Sequence, residues 1–122
     1  MTHPVIERRR AEQDERIQLA SAWALTLAKT LDVSAVVVFG STARGDFNKW
    51  SDVDILVVSD ALPDGARRRL ELLMSNTPPG LQPIGWTPSE LDLRRARHDP
   101  IAIECDSIGR VVFGALPQRT DG

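Results

Sequence analysis

The sequence predicts an α/β (α+β) domain with a small mixed sheet of about four strands and helices packed on it. Three observations carry this prediction: an apolar β-branched run at Ser34–Phe39, a second strand pattern at Asp52–Ser59, and a long helical pattern at Pro4–Leu31. Helical and strand patterns then alternate to the end of the chain. With 122 residues, we expect a single domain with an N-terminal helix at about 4–31 and a core at about 34–114.

Composition narrows the class of protein. The chain is 42% apolar and 26% charged, which is typical of a soluble globular domain and excludes a disordered tail or a fibre. Fifteen basic and seventeen acidic residues give a net charge of −2, which argues against a nucleic-acid binder that relies on bulk positive charge. A local basic face leaves nucleic acid open as a partner. With no signal peptide or membrane span and one cysteine, Cys105, a cytoplasmic location is expected.

The first helix divides into two halves. An apolar stripe at helical spacing marks the second half, formed by Ala20, Trp23, Ala24, Leu27 and Leu31. The first half, Glu7 to Arg16, is almost wholly charged. We expect this half to project into solvent or to meet a partner.

The remaining elements follow from apolar runs and turn residues. The Ser34–Phe39 run is apolar enough for an interior strand buried on both faces. Pro83 and Gly85 place the weak strand Leu81–Trp86 at an edge or a bulge. The other predicted elements are a helical turn from Ser41, a helix at Ala66–Ser75, a helix capped by Thr87 and running to about Arg97, a short turn at Pro100, and a last strand at Gly109–Phe113.

A glycine and a serine follow the first strand directly. Gly40 has no Cβ, so the backbone can approach a ligand closely there. The free N–H groups of the following turn and the Ser41 hydroxyl suit a phosphate, and Arg44 could add a charged donor on the same turn. By itself this sequence is more often an ordinary turn.

Two aspartates open the second strand. Asp52 and Asp54 project from one face with Leu56, because side chains alternate along a strand. Two carboxylates this close repel each other unless a cation lies between them, and Mg²⁺ prefers such oxygen ligands. The alternative is a solvated strand end. Ten residues separate Ser41 from Asp52, a spacing that brings a phosphate site and a metal site to one end of the sheet.

The run FGSTARGDFNKWSDVDILVV, residues 39–58, resembles the signature of the nucleotidyltransferase superfamily that includes DNA polymerase beta. It is most similar to the minimal nucleotidyltransferases, whose motif reads GSxARGxxxxxSDxDL. Every fixed position is met, except that Ile55 replaces the leucine. The resemblance implies the polymerase beta-like fold.

The resemblance also implies roles for individual residues. Gly40, Ser41, Arg44 and Ser51 would bind the nucleotide, and Asp52 and Asp54 would be the catalytic metal ligands. The implied reaction transfers a nucleoside monophosphate, most often AMP from ATP with Mg²⁺, to a protein or RNA acceptor. Small members of this family are often antitoxins of all-helical HEPN-type toxins, which would make such a protein a partner.

One departure from the family pattern concerns a third acid. Active members usually carry it on the strand after the short helix, where this chain has Gln82. Glutamine supplies neither charge nor a base, so a weakened nucleotide-binding or protein-interaction module is the alternative function. Glu104 or Asp106 could fold back as a substitute, or a partner could donate an acid. An aminoglycoside-type enzyme ranks last, because the chain has no domain to enclose an antibiotic.

Other residues have a structural explanation as well as a functional one. The basic clusters are either solvated faces or a contact surface for RNA or an acidic partner: Arg67, Arg68 and Arg69, and then Arg94, Arg95 and Arg97. Trp23 is expected in the core. Trp50 and Trp86 could each stack on a base, and for Trp86 core packing is the favoured alternative. His98 is expected at a helix end, and Cys105 is assigned no chemistry. The small size leaves a cleft that a second copy could cover.

Overall fold

The computed structural model describes residues 3–75 and 77–118, in which five helices and four strands form. The elements in order are α1 Pro4–Leu27, β1 Ala35–Phe39, α2 Gly40–Arg44, β2 Val53–Val58, α3 Ala66–Met74, β3 Leu81–Trp86, α4 Pro88–Ala96, α5 Pro100–Ser107 and β4 Arg110–Gly114. The predicted α/β class and the mixed sheet are confirmed. His3 lies at the start of α1, where its ring accepts a hydrogen bond from the Val5 N–H.

The sheet has the order β3-β2-β1-β4. The β1 strand pairs antiparallel with β2 and with β4, whereas β2 and β3 are parallel. All five residues of β1 are buried, which confirms the interior strand. The β3 strand lies at an edge, as Pro83 predicted, because proline has no N–H to donate to a further strand.

Helices cover both faces of the sheet. One face packs α1 and α3, with Trp23 and Leu73 against the odd-numbered residues of β2 such as Ile55. The other face packs α4 and α5, with Leu91 and Cys105 in the same core cluster as Leu56 and Trp86. Leu56 therefore faces α4 and α5, and Asp52 and Asp54 share its side of the strand.

The end of α1 and the element after Pro100 differ most from the sequence prediction. The α1 helix ends at Leu27, because the turn bonds from Lys29 to Thr26 and from Thr30 to Leu27 tighten its last turn. Leu31 still packs on the core beyond the helix. The segment after Pro100 was predicted as a turn, and this is wrong. It forms the eight-residue helix α5, which Asp99 caps by accepting hydrogen bonds from the Ile101 and Ala102 N–H groups.

The two basic clusters do not form uniform solvated faces. Arg69 donates to Glu90 at 2.6 Å and to the carbonyl oxygens of Pro63 and Gly85. The side chain of Arg95 is 6% exposed and bonds both carboxylate oxygens of Asp106. One arginine of each cluster, Arg69 and Arg95, therefore stabilises the tertiary structure. In the described part of the chain, no helix has the length and apolar character needed to cross a membrane.

Candidate active site

The backbone corner after β1 lies directly against Asp54 of β2. Phe39 and Asp54 are paired residues in the antiparallel ladder, which sets Gly40 beside the Asp54 side chain. Gly40 has a φ of +70°, and a Cβ built on it would lie 2.3 Å from Asp54 Oδ2. Any side chain at residue 40 would fill this space. The structure thus brings the Gly-Ser corner and one predicted metal ligand into contact.

Asp52 and Asp54 differ in their surroundings. Asp52 is exposed just before β2, whereas Asp54 is half-buried within it. Burial raises the pKa of the Asp54 carboxyl above its ordinary value, and the negative charges of Glu104 and Asp52 raise this pKa further, while Arg44 opposes the shift. A carboxylate with a raised pKa beside two other acids favours a bound cation.

Glu104 on α5 reaches the same corner. Its Oε1 atom accepts a hydrogen bond from the Gly40 N–H at 2.8 Å and from Arg44 Nη1 at 2.6 Å. The sequence offered Glu104 and Asp106 as substitutes for the missing acid, and only Glu104 lies here. Asp106 is bound to Arg95 instead, so the structure excludes it from the site.

Gln82 stands beside Asp54 on the edge strand. The two residues are partners in the parallel β2–β3 ladder, so their side chains share a face, and Gln82 is exposed there. Within residues 3–75 and 77–118, no three or more His, Cys, Asp or Glu side chains form a group that could hold a metal ion. The Asp52–Asp54 pair therefore has no third protein ligand of these types in place among those residues.

Ser51 closes the loop of residues 46–51, which we call the motif loop. Its hydroxyl oxygen accepts a hydrogen bond from the Asn48 N–H at 3.1 Å, and its own N–H donates to the Asn48 carbonyl. The Ser41 carbonyl accepts hydrogen bonds from the N–H groups of Gly45 and Asp46, which joins α2 to this loop. Arg44 also pairs with Asp46 at 3.1 Å.

Polar residues of α1 hold the motif loop and the adjoining end of α2. Arg16 donates to the carbonyl oxygens of Ser51 at 2.6 Å and of Asn48 at 3.0 Å. Gln13 donates to the Thr42 carbonyl at 2.8 Å, and Arg9 donates to the Phe47 carbonyl. The charged half of α1 was expected to face solvent or a partner, and for this face the expectation is wrong.

A signal for these contacts was present in the sequence. Arg9, Gln13 and Arg16 continue the spacing of the apolar stripe that begins at Ala20. They therefore lie on the face of α1 that packs on the core. Sequence reasoning missed them because the stripe was followed only through apolar residues.

Trp50 is exposed to solvent, whereas Trp86 and Cys105 are buried. Trp50 lies in the motif loop and is 81% exposed, with the Lys49 ammonium 4.8 Å from its ring centroid. Trp86 is buried in the core. Cys105 is buried too, and burial together with nearby acids raises the pKa of its thiol to about 12. A thiol with this pKa is a poor nucleophile.

A groove of about 590 Å³ lies elsewhere, between α3, β3 and α4. Its lining includes Arg69, Ile84, Trp86 and Glu90, and no residue of the motif at 39–58 lines it. The candidate site is therefore not this groove but the open end of the sheet where β1 finishes and β2 begins.

At one end of the sheet of this α/β domain, the Gly-Ser corner touches one of two adjacent carboxylates. The comparisons with known proteins give the family: the model of the nucleotidyltransferase domain matches residues 23–108, well over half of the chain. The chain therefore belongs to the nucleotidyltransferase domain family. No curated protein matches it in sequence.

Solved structures share the fold. A candidate nucleotidyltransferase from Sulfolobus solfataricus superposes with a TM-score of 0.63 at 20% identity, covering 84% of each chain. A toxin–antitoxin structure with AMP-PNP superposes with a TM-score of 0.50 at 15% identity, covering 78% of this chain and 73% of that one. At these identities the likeness concerns the fold.

Proposed function

We propose that this protein is a Mg²⁺-dependent nucleotidyltransferase that transfers a nucleoside monophosphate, AMP from ATP, to a hydroxyl group of a protein or RNA acceptor. The observation that carries the proposal is the contact between Gly40 and Asp54, where a Cβ would lie 2.3 Å from the carboxylate oxygen. A triphosphate seated on the corner would then lie beside the acidic pair. Membership of the nucleotidyltransferase domain family supports this proposal.

In this proposal the corner binds phosphate oxygens. The backbone N–H groups of Gly40 and Ser41 and the Ser41 hydroxyl would donate to them. Arg44 would turn from Glu104 to a phosphate oxygen, which its guanidinium can bind with two donors. Ser51 would act through the motif loop, whose conformation is stabilised by the hydrogen bond that its hydroxyl oxygen accepts from the Asn48 N–H.

Asp52 and Asp54 would hold Mg²⁺. The donor set fits, because Mg²⁺ is commonly bound by one or two carboxylates together with substrate phosphates and water. The metal would supply charge neutralisation at the reacting phosphorus. The protein residues would orient the triphosphate and keep the pyrophosphate leaving group in line with the acceptor oxygen.

The proposed acceptor or partner is an all-helical protein of HEPN type, with this chain as the antitoxin. The support is the family resemblance of the motif and the shared fold with a toxin–antitoxin structure that contains AMP-PNP.

A second candidate function is a nucleotide-binding or protein-interaction module with weak turnover. Two observations favour it: Gln82 pairs with Asp54 on the neighbouring strand, and the described residues contain no group of three metal ligands. One metal with its nucleotide could still bind to the aspartate pair, whereas deprotonation of an acceptor would lack a base.

The test is transfer of label from α-³²P-ATP with Mg²⁺ to a helical protein encoded beside this chain, or to RNA. We expect labelling by the wild type and none by Asp54→Asn. Asp60→Asn is the matched control, because Asp60 is an exposed acid at the opposite end of β2. Binding of Mg-ATP without transfer would favour the module, and absence of binding would overturn the transferase and leave only a protein-interaction module.

A further inference from the structure

One residue of α1, Arg16, makes two hydrogen bonds to the motif loop. Arg16 donates to the carbonyl of Ser51, the residue that immediately precedes Asp52, and to the carbonyl of Asn48. These two bonds bridge the last four residues of the loop. A guanidinium with two donors in a fixed fork holds such a span more rigidly than one flexible contact.

The same guanidinium packs on the buried ring of the loop. Arg16 lies 4.4 Å from the centroid of Phe47, and Arg9 lies 4.9 Å from it. Phe47 is 2% exposed, so the loop is anchored at this ring as well as at its carbonyl groups. Cation–π contacts of this kind add to the hydrogen bonds.

We propose that Arg16 is a positioning residue for the nucleotide site. It holds the motif loop so that the Asp52 side chain stays on the same face of the sheet as that of Asp54. Its functional consequence rests on the proposed function above. Arg16 contacts neither the Gly-Ser corner nor the aspartates in any hydrogen bond or ion pair described for it. It acts through the backbone of Ser51.

A purely structural role makes a different prediction. Arg69 offers a comparison outside the motif loop, because it also donates to two backbone carbonyls, those of Pro63 and Gly85, and it pairs with Glu90 in addition. If Arg16 only stabilises the fold, Arg16→Met and Arg69→Met should both lower the melting temperature and leave ligand binding intact in the folded protein.

The experiment compares wild type, Arg16→Met, Arg69→Met and Arg10→Met, an exposed arginine of the same helix, well below their melting temperatures. Hydrogen exchange by mass spectrometry reports the motif loop, and calorimetry with a non-hydrolysable Mg-ATP analogue reports the site. We expect Arg16→Met alone to speed exchange in residues 46–52 and to weaken analogue binding about tenfold, the loss typical of removing a supporting residue.

Unchanged exchange of the motif loop in Arg16→Met would overturn the inference. Faster exchange with wild-type affinity for the analogue would overturn it too, because the loop would then be held without positioning the site. If the wild type binds no analogue, the proposed function fails, while the exchange data still decide whether Arg16 holds the loop.

Discussion

The Gly40 N–H donates a hydrogen bond of 2.8 Å to Glu104 Oε1, so a carboxylate of α5 occupies the corner that the sequence assigns to phosphate. The same oxygen accepts a hydrogen bond from Arg44, another residue proposed to bind phosphate. Glu104 thus accepts hydrogen bonds from both donors. A triphosphate would have to displace this carboxylate to reach them.

Replacing Glu104 by glutamine should therefore tighten nucleotide binding. Glutamine keeps the size of the side chain and removes a negative charge beside the incoming phosphates. We expect about a fivefold gain in affinity for Mg-ATP by calorimetry, the size of one unit-charge repulsion at short range in water. Glu71→Gln, an exposed acid on α3, should leave the affinity unchanged. Weaker binding by Glu104→Gln would show instead that this acid supports the metal.

Gly40→Ala should destabilise the protein and abolish nucleotide binding. The new Cβ would clash with Asp54 Oδ2 and sit at a φ of +70°. Gly80→Ala isolates the backbone strain, because Gly80 has a φ of +95° with open space around its Cβ position. We expect Gly80→Ala to cost about 1–2 kcal/mol and Gly40→Ala to cost more, in urea denaturation. Equal costs with retained binding would contradict the close approach.

Gln82→Asp should raise transferase activity. It places a carboxylate next to Asp54 in the β2–β3 register, where it can bind metal or take the acceptor proton. We expect a gain of about tenfold or more in the transfer rate, measured with labelled ATP. Gln18→Asp, an exposed change on α1, is the control. An unaltered rate would mean that the missing acid does not limit turnover.

Asp54→Asn should stabilise the metal-free protein at neutral pH. Burial and then the charges of Glu104 and Asp52 raise the pKa of Asp54, so the folded protein binds this proton more tightly than the unfolded chain. That contribution is complete below the unfolded pKa and is lost as pH rises through the folded pKa. Because asparagine does not ionise, Asp54→Asn does not lose stability in this way as the pH rises.

Urea denaturation at about pH 7 and about pH 3.5 checks this sign. The advantage of Asp54→Asn over wild type should be present at the higher pH and shrink at the lower one. Asp60→Asn, which removes an exposed acid, is measured alongside as the reference variant. A variant less stable than wild type at neutral pH would contradict the repulsion among these acids.

Local sequence patterns were enough for the strands and for most helix boundaries. The apolar run of β1 and the Thr87 capping box appear in the structure as predicted. The α5 helix was missed although Asp99 and Pro100 form a helix start, because its eight residues have little amphipathic pattern to follow. Short helices of this kind depend on tertiary packing.

The site was predictable where the motif is local and not where it depends on tertiary contacts. The spacing of Gly40 and Asp54 predicted their approach across two adjacent strands. The positions of Glu104 and Arg16 depend on how α5 and α1 pack on the sheet, more than thirty residues away in sequence from their partners. Nothing in the residues around Glu104 distinguishes it from Asp106, which instead pairs with Arg95.

In the proposed function, the Gly-Ser corner and the aspartate pair hold one metal–nucleotide complex. The most direct measurement is paramagnetic broadening of backbone amide NMR signals by Mn²⁺-ATP, with Mg-ATP as the diamagnetic reference. We expect broadening that is strongest at residues 40–42 and 52–54, declines along β3 from Gln82 toward the groove lined by Ile84 and Trp86, and is lost in Asp54→Asn. Broadening centred on that groove, or none near Gly40 and Asp54, would contradict it.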